Sequence, residues 1–271
     1  MSRPTIFALA LVAASALIPA TSVSDDLATT AAPNTVSPSA SATISHLSNM
    51  ELPRLGQALR ATHSAKVLAI GSSSTAGVGA SSPSHTYVAR LEINLESTLK
   101  GADFEVIGHG LSGEVAQGAA DRMKREVEQV KPDLVIWQVG TNDALRHVAM
   151  DSFKDCLKKT LAWLKQQQID VILINPQYGE SLVKDAYYEE VVAAVAAIAL
   201  EEQVLIVDRF DALRKLHRQR GDQVYLSADN LHMNDEGYRW LAERLTATIL
   251  KALPQGPGNV GHSRTAKRSS T

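Results

Sequence analysis

The sequence predicts an α/β fold in which one parallel sheet lies between two layers of helices. Five short apolar runs, rich in β-branched residues and bounded by turn residues, recur along the chain: KVLAIG, FEVIG, DLVIWQVG, DVILINP and VLIVD. These runs lack the polar alternation of a half-exposed strand, which indicates strands buried on both faces. Amphipathic stretches separate them, and this alternation is typical of a five-stranded parallel sheet covered by helices on both sides, a three-layer α/β/α sandwich.

The position of each element follows from the spacing of its apolar residues. The strands are expected at 66–71, 104–108, 133–140, 170–176 and 204–208. Helices are expected around 47–59, from near 87, over 115–130, from near 152, from near 185 and over 237–253. The helix over 115–130, for example, places Ala119, Met123, Val127 and Val130 on one face.

The two ends of the chain differ in composition from the rest. Arg3, the apolar run TIFALALVAASALIPA and a stretch of small residues predict a signal peptide over 1–24. The apolar run is shorter than the roughly 20 residues of a spanning helix, although an uncleaved anchor is the alternative. A flexible linker is expected over 25–45, a globular domain over 46–253 and a disordered tail over 254–271. The protein is therefore expected to be periplasmic or extracellular, with no stable membrane span after cleavage.

Composition excludes several classes of partner and site. The chain has 271 residues, 45% of them hydrophobic, and a net charge of −2, so no basic footprint predicts a nucleic-acid partner. Cys156 is the only cysteine and lies on the apolar face of a predicted helix, which favours a buried structural thiol. No spacing of histidine, cysteine and carboxylates indicates a metal site, and no cofactor is predicted. Nothing in the sequence indicates an oligomeric state.

Polar clusters lie near the carboxyl ends of the predicted strands, where ligands bind in open α/β sheets. GSSSTAG follows the first strand, GHGLSGE the second and GTNDALRH the third, and SADNLHMNDEGY precedes the last helix. Together they supply a hydroxyl, backbone amides beside glycines, a carboxamide and an Asp-x-x-His pair. Acyl transfer needs a nucleophile, an oxyanion binder, a general base and a group that orients the base.

These four clusters, in this order, resemble the sequence blocks of the SGNH hydrolases, also called the GDSL esterase/lipase family, from about residue 66 to about 253. The resemblance implies a flavodoxin-like sandwich. The family's Gly-Asp-Ser block reads Gly71-Ser72-Ser73 here, which makes Ser73 the implied nucleophile. The Gly-x-Asn-Asp block is intact at 140–143, and the Asp-x-x-His block is intact at 229–232.

The resemblance also implies the role of each matching residue. His232 would take the proton of Ser73, and Asp229 would orient the imidazole. The backbone N–H groups of Ser73 and Gly113 and the side-chain amide of Asn142 would form the oxyanion hole. Ser72 replaces the family's aspartate, which puts the hydrogen bonding of this loop in doubt and leaves Ser72 or Ser74 as a helix cap.

The implied function is an exported ester hydrolase of the esterase/lipase type that forms an acyl-enzyme on Ser73. Short acyl esters or O-acetyl groups, on small molecules or glycans, are the favoured substrates. The alternatives are lysophospholipase or thioesterase activity, or a non-catalytic binding module on the same fold. Substrate-binding roles are predicted for five strand-end residues, against ordinary turn and packing roles: His109, Arg146, His147, Gln177 and Tyr178.

Overall fold

Five parallel strands form one sheet in a computed structural model that describes residues 50–221 and 224–254. The predicted signal peptide and linker, and the predicted tail beyond residue 254, lie outside the described residues. In chain order the strands are β1 (Ser64–Gly71), β2 (Asp103–Gly110), β3 (Leu134–Gln138), β4 (Asp170–Ile174) and β5 (Leu205–Val207). Each lies within a few residues of its predicted position, and the α/β sandwich is confirmed.

The strand order is β2-β1-β3-β4-β5, with every neighbouring pair parallel. Ile70 on β1 is paired with His109 on one side and with Trp137 on the other. The chain leaves β1 toward one edge of the sheet and returns to build β3 on the opposite side of β1. Such a reversal opens a crevice at the carboxyl ends of the two central strands, which is where ligands bind in this class of sheet.

Helices connect the strands and cover both faces of the sheet. Their bounds are α1 (Pro53–Thr62), α2 (Ser73–Ala76), α3 (Tyr87–Thr98), α4 (Ala116–Val130), α5 (Thr141–Leu145), α6 (Met150–Gln166), α7 (Ala186–Glu201), α8 (Arg209–Arg220) and α9 (Asp235–Ala252). Four of them begin at side chains that accept a hydrogen bond from a first-turn amide, at Thr86, Asp185, Asp208 and Asn234.

Helix α8 was not expected from the sequence. Its sequence RFDALRKLHRQR is rich in basic residues, and only its first residue, Phe210 and Leu213 are buried, so it shows no continuous apolar stripe. The cap at Asp208, which accepts a hydrogen bond from the amide of Asp211 at 3.0 Å, marks its start instead.

Side chains of the central strands β1, β3 and β4 alternate between two apolar layers. Val67 and Ala69 of β1 pack with α1, α3 and α9, whereas Leu68 and Ile70 pack with α4, α6 and α7. These strands therefore have no continuous polar face, because both faces are covered. The edge strand β2 differs from the prediction, since exposed Asp103 and Glu105 alternate with buried Phe104 and Val106. Cys156 is buried in the second layer, and burial raises the pKa of its thiol to about 11, as expected for a structural cysteine.

Candidate active site

The three serines after β1 have different environments. Ser72 and Ser74 are only 4% and 3% exposed. The hydroxyl of Ser72 donates to Oε1 of Gln138 at 3.0 Å, and the hydroxyl of Ser74 accepts from Nη1 of Arg209 at 3.1 Å. The prediction that Ser72 or Ser74 caps α2 through its side chain is wrong, because both hydroxyls are hydrogen-bonded to buried side chains instead. Ser73 alone is partly exposed, and its hydroxyl makes no hydrogen bond to another described residue.

Buried side chains hold the turn that carries Ser73 from below. The hydroxyls of Thr75 and Tyr87 are hydrogen-bonded at 2.9 Å, and the hydroxyl of Tyr238 donates to the carbonyl of Val78 at 2.8 Å. Burial raises the pKa of Tyr87 to about 12, so its hydroxyl keeps its proton under all ordinary conditions. The short helix α2 is thus fixed by long-range contacts, since four residues give it little stability of their own.

The Asp-x-x-His segment forms a tight loop around one carboxylate. Oδ1 of Asp229 accepts hydrogen bonds from the amides of Leu231 and His232 at 3.0 and 2.9 Å, and Oδ2 contacts Nδ1 of His232 at 2.6 Å. Partial burial opposes ionisation of Asp229, but the hydrogen bonds from His232 and Leu231 outweigh it and lower the pKa to about 2. A carboxylate accepts only, so Nδ1 carries a proton, and in the neutral ring Nε2 then has a free lone pair.

The loop with His232 touches the segment that follows Ser73. Gly79 has a φ of +95°, and a Cβ there would lie 2.3 Å from the carbonyl oxygen of Met233 and 3.1 Å from Cβ of His232, so only glycine fits. The hydroxyl of Ser227 also donates to the carbonyl of Gly79 at 3.4 Å. Within the described residues, no hydrogen bond joins the Ser73 hydroxyl to the His232 ring; such bonds often tighten only when substrate binds.

Gly113 and Asn142 lie on two neighbouring segments at the same edge of the sheet. The side-chain amide of Asn142 donates to the carbonyl oxygen of Glu114 at 2.9 Å, which uses one of its two hydrogens. The amide of Leu111 donates to the carbonyl of Gly71 at 2.9 Å and ties this loop to the end of β1. Gly113 has a φ of +78°, a conformation that favours glycine. The fold therefore brings the second and third sequence blocks together beside the first.

Arg122 and Glu114 support this loop, and sequence reasoning missed both. Nε and Nη2 of Arg122 donate to the two carboxylate oxygens of Glu114 at 2.8 and 2.7 Å, and Nη2 also donates to the carbonyl of His109 at 2.7 Å. The only signal in the sequence is the position of Arg122 on the apolar face of its helix, three residues after Ala119.

Three of the five predicted substrate-binding residues are partly or fully exposed near the strand ends. His109 pairs with Glu126, and Nε2 of His147 lies 2.7 Å from a carboxylate oxygen of Asp185. Arg146 is exposed, with Nη2 placed 3.0 Å from the point that a Cβ at position 113 would occupy. Arg146 is therefore the predicted residue that lies beside an implied oxyanion donor.

Gln177 and Tyr178 are buried, and the contact with substrate predicted for them stays a prediction. Gln177 is 2% exposed, accepts from the hydroxyl of Thr141 at 3.0 Å and donates to the carbonyl of Leu231 at 3.0 Å. Tyr178 packs against the ring of Phe210. Gln177 thus ties α5 to the loop that carries His232, because both of its polar ends find partners inside the protein.

The described residues contain neither a candidate metal site nor a candidate membrane span. Within residues 50–221 and 224–254, no group of three or more histidine, cysteine or acidic side chains could hold a metal ion. None of the helices in these ranges is both long and apolar enough to cross a bilayer.

The sequence profile of the non-GDSL lipase-like family matches residues 39–255. An arylesterase of Vibrio mimicus is 27% identical over 198 residues, which cover 70% of this chain and 90% of the relative. Esterase TesA of Pseudomonas aeruginosa is 27% identical over 170 residues, which cover 61% of this chain and 78% of the relative.

Solved structures share the fold. A variant of Axe2, an acetyl xylan esterase from Geobacillus stearothermophilus, aligns with a TM-score of 0.60 and 24% identity over 68% of this chain and 94% of its own. The crystal structure of TesA aligns with a TM-score of 0.59 and 26% identity over 68% of this chain and 97% of its own. The sandwich is therefore common to these proteins and to this chain.

Proposed function

The chain belongs to the non-GDSL lipase-like family and is a carboxylic ester hydrolase of the SGNH type, and from that premise we propose that it cleaves esters through an acyl-enzyme on Ser73. The observation that carries the proposal is the difference among the three serines. The hydroxyls of Ser72 and Ser74 are buried and bonded, whereas that of Ser73 is accessible and free of a partner among the described residues.

In the proposed reaction, Nε2 of His232 removes the proton from Ser73 as its oxygen attacks the ester carbonyl. Asp229 holds the ring in the tautomer that leaves Nε2 unprotonated and stabilises the imidazolium that forms. The imidazolium then protonates the leaving alcohol, and the acyl group remains on Ser73. Water, activated by the same nitrogen, hydrolyses the acyl-enzyme and regenerates the serine.

The tetrahedral oxyanion is bound by the amides of Ser73 and Gly113 and by the free hydrogen of the Asn142 side chain. Glu114 supports this arrangement, because its carbonyl accepts the other hydrogen of Asn142 and thereby orients the carboxamide. Donors of this kind act where negative charge develops, and each is worth about 100- to 1,000-fold in rate.

Relatives support the assignment of these roles. Solved variants of the Geobacillus esterase Axe2 are described as catalytic mutants at a serine, an aspartate and a histidine. The aspartate and the histidine lie three positions apart in that protein, the same spacing as Asp229 and His232 here. The proposal transfers these roles to Ser73, Asp229 and His232.

The proposed substrates are short acyl esters, including O-acetyl groups. The enzyme is also proposed to be exported, because its amino-terminal sequence has the basic start and apolar run of a signal peptide. Large apolar side chains that are exposed on the site loops offer contacts for the alcohol part of an ester: Val78, Leu111 and Leu145. Two relatives motivate the choice of test esters: the Vibrio mimicus arylesterase suggests an aromatic alcohol part, and the Geobacillus stearothermophilus acetyl xylan esterase suggests a glycan.

The test is Ser73→Ala, assayed with p-nitrophenyl acetate. We expect kcat to fall by about 10,000-fold with an unchanged melting temperature, because the nucleophile is lost while the fold is not. Ser72→Ala and Ser74→Ala are matched controls, since each removes one hydroxyl of the same triplet.

A fluorophosphonate probe tests the same point without turnover. It should label the parent and both control variants, and peptide mass spectrometry should place the adduct on Ser73. Parent-like hydrolysis or labelling by Ser73→Ala would refute the proposed nucleophile.

A further inference from the structure

Arg209 is completely buried directly beneath the turn that carries Ser73. Its side chain has no exposed surface. Nη1 donates to the hydroxyl of Ser74 at 3.1 Å, and Nε donates to the carbonyl oxygen of Asn175 at 3.1 Å. The guanidinium therefore contacts the residue that follows the proposed nucleophile, although it lies 136 positions away from Ser73 in the sequence.

The fold fixes this side chain at both ends. Oδ1 of Asn175, just after β4, accepts hydrogen bonds from the amides of Arg209 and Phe210 at 2.8 and 3.1 Å. These bonds anchor the first turn of α8 to the end of β4, so the side chain points from that anchor under α2. Arg209 is thus anchored at its backbone by β4 and at its guanidinium by Ser74 and Asn175.

The charge of Arg209 has no counter-ion in the part of the chain that the structure describes. Among the described residues, no carboxylate lies within ion-pair distance, Nη2 has no hydrogen-bond partner, and the ionisable groups that act on the guanidinium are the phenols of Tyr87, Tyr188 and Tyr238. Burial lowers the pKa of the guanidinium to about 10, which still leaves it protonated at neutral pH. A buried and unpaired charge destabilises a fold strongly, so a structural anchor alone is a poor reason to keep one.

We propose that Arg209 is a positioning residue whose buried positive charge stabilises the anionic tetrahedral intermediate formed on Ser73. The inference rests on the proposed function. The ester is neutral before attack and negative afterwards, so a fixed charge beneath the turn favours the second state more than the first. Its effect is largest in the dry interior, and it lowers the barrier without strengthening substrate binding.

The experiment compares Arg209→Gln with Arg209→Lys in the full chain. Glutamine keeps a hydrogen-bond donor and removes the charge, whereas lysine keeps the charge. The measurements are kcat and KM for p-nitrophenyl acetate, the melting temperature, and inhibition by phenylboronic acid, which forms an anionic adduct with a serine hydroxyl. Thr160→Val, which removes a buried hydroxyl within α6, is the control for loss of a buried polar group.

We expect Arg209→Gln to lower kcat by about 10- to 30-fold and to leave KM within about threefold of the parent. The inhibition constant of phenylboronic acid should rise by a factor similar to the loss in kcat. Arg209→Lys should recover kcat to within about fivefold of the parent. Parent-like kcat in the glutamine variant, equal losses in the lysine and glutamine variants, or a loss carried by KM alone would each overturn the proposal.

A second variant, which keeps the charge of Arg209, tests the proposal even if the variants at position 209 do not fold. Ser74→Ala removes the hydroxyl that accepts the hydrogen bond from Arg209 and leaves the guanidinium in place. Both kcat and the inhibition constant of phenylboronic acid should therefore stay within about threefold of the parent. A loss of tenfold or more would assign the effect to the hydrogen bond and refute the role of the charge. Failure here leaves the assignment of Ser73 intact, because that rests on Ser73→Ala.

Discussion

The side-chain amide of Asn142 donates a hydrogen bond to the carbonyl oxygen of Glu114 at 2.9 Å, which joins two segments that are 28 positions apart. The bond fixes the plane of the carboxamide, and it points the second hydrogen away from Glu114. Two of the three proposed oxyanion donors are thereby coupled, because Glu114 follows Gly113 directly in the chain.

Replacement of Asn142 by alanine tests this coupling. We expect kcat for p-nitrophenyl acetate to fall by about 100- to 1,000-fold with KM within about threefold, because the lost bond forms only as the oxyanion develops. Gln117→Ala, which removes an exposed carboxamide bonded to Asp121 on α4, is the matched control and should keep the parent rate. A rise in KM without a fall in kcat would contradict the assignment.

Asp229→Asn should disable the base while keeping the loop. The amide oxygen can still accept from the amides of Leu231 and His232, so the melting temperature should change little, but it no longer selects the Nδ1–H tautomer. We expect kcat to fall by about 1,000- to 10,000-fold in steady-state assays.

Asp235 provides the control for that variant. It forms a second carboxylate–imidazole pair, with His85 at 2.8 Å, outside the proposed site. Asp235→Asn should therefore keep kcat within about threefold of the parent. Equal losses in the two variants would show that the position of Asp229 carries no special role.

The exposed leucines of the site loops should favour apolar alcohols. Leu111 and Leu145 are 54% and 45% exposed and flank the segments with Gly113 and Asn142. Leu111→Ser combined with Leu145→Ser should lower kcat/KM for naphthyl acetate by about tenfold, because apolar contact area is lost, and should change kcat/KM for acetylated xylose by less than about threefold.

Ile93→Ser is the matched control for the leucine variant. Ile93 is also an exposed aliphatic residue, but it lies on α3, away from the strand-end loops. It should leave both esters unaffected. Equal losses for the two esters in the leucine variant would argue against an apolar contact with the alcohol.

Asp170 should make stability depend on pH. Burial raises the pKa of its carboxyl to about 6 and Asp133 adds to the shift, although the amide of Leu55 donates to it at 2.9 Å. The native state therefore binds more protons than the unfolded state between about pH 4 and 6, and stability falls as pH rises through this window.

Asp170→Asn should flatten this part of the curve of unfolding free energy against pH. The measurement is urea unfolding at a series of pH values from about 4 to 7. Asp155→Asn, at an exposed carboxylate of α6, should keep the slope of the parent. A slope that survives in Asp170→Asn would assign the dependence to other groups.

Local sequence determined most of the elements and the residues of the proposed chemistry. Apolar runs placed the five strands, and helical periodicity placed most of the helices, because both patterns report burial along a single element. The blocks around Ser73, Asn142 and His232 were readable for a similar reason, since each lies on one short loop at a strand end. Helix α8 was not predicted, because it buries too few residues to show an apolar stripe in the sequence.

The tertiary structure alone decided which polar groups are buried and what they contact. Ser72, Ser73 and Ser74 are identical in the sequence, and only the approach of Gln138 and Arg209 leaves the middle hydroxyl free. The sequence predicts Gln177 beside the pocket, and only the structure shows that its amide binds Thr141 of α5 and the carbonyl of Leu231 beside His232. Such contacts join positions tens of residues apart, so they depend on how the elements pack and leave no periodic trace in the chain.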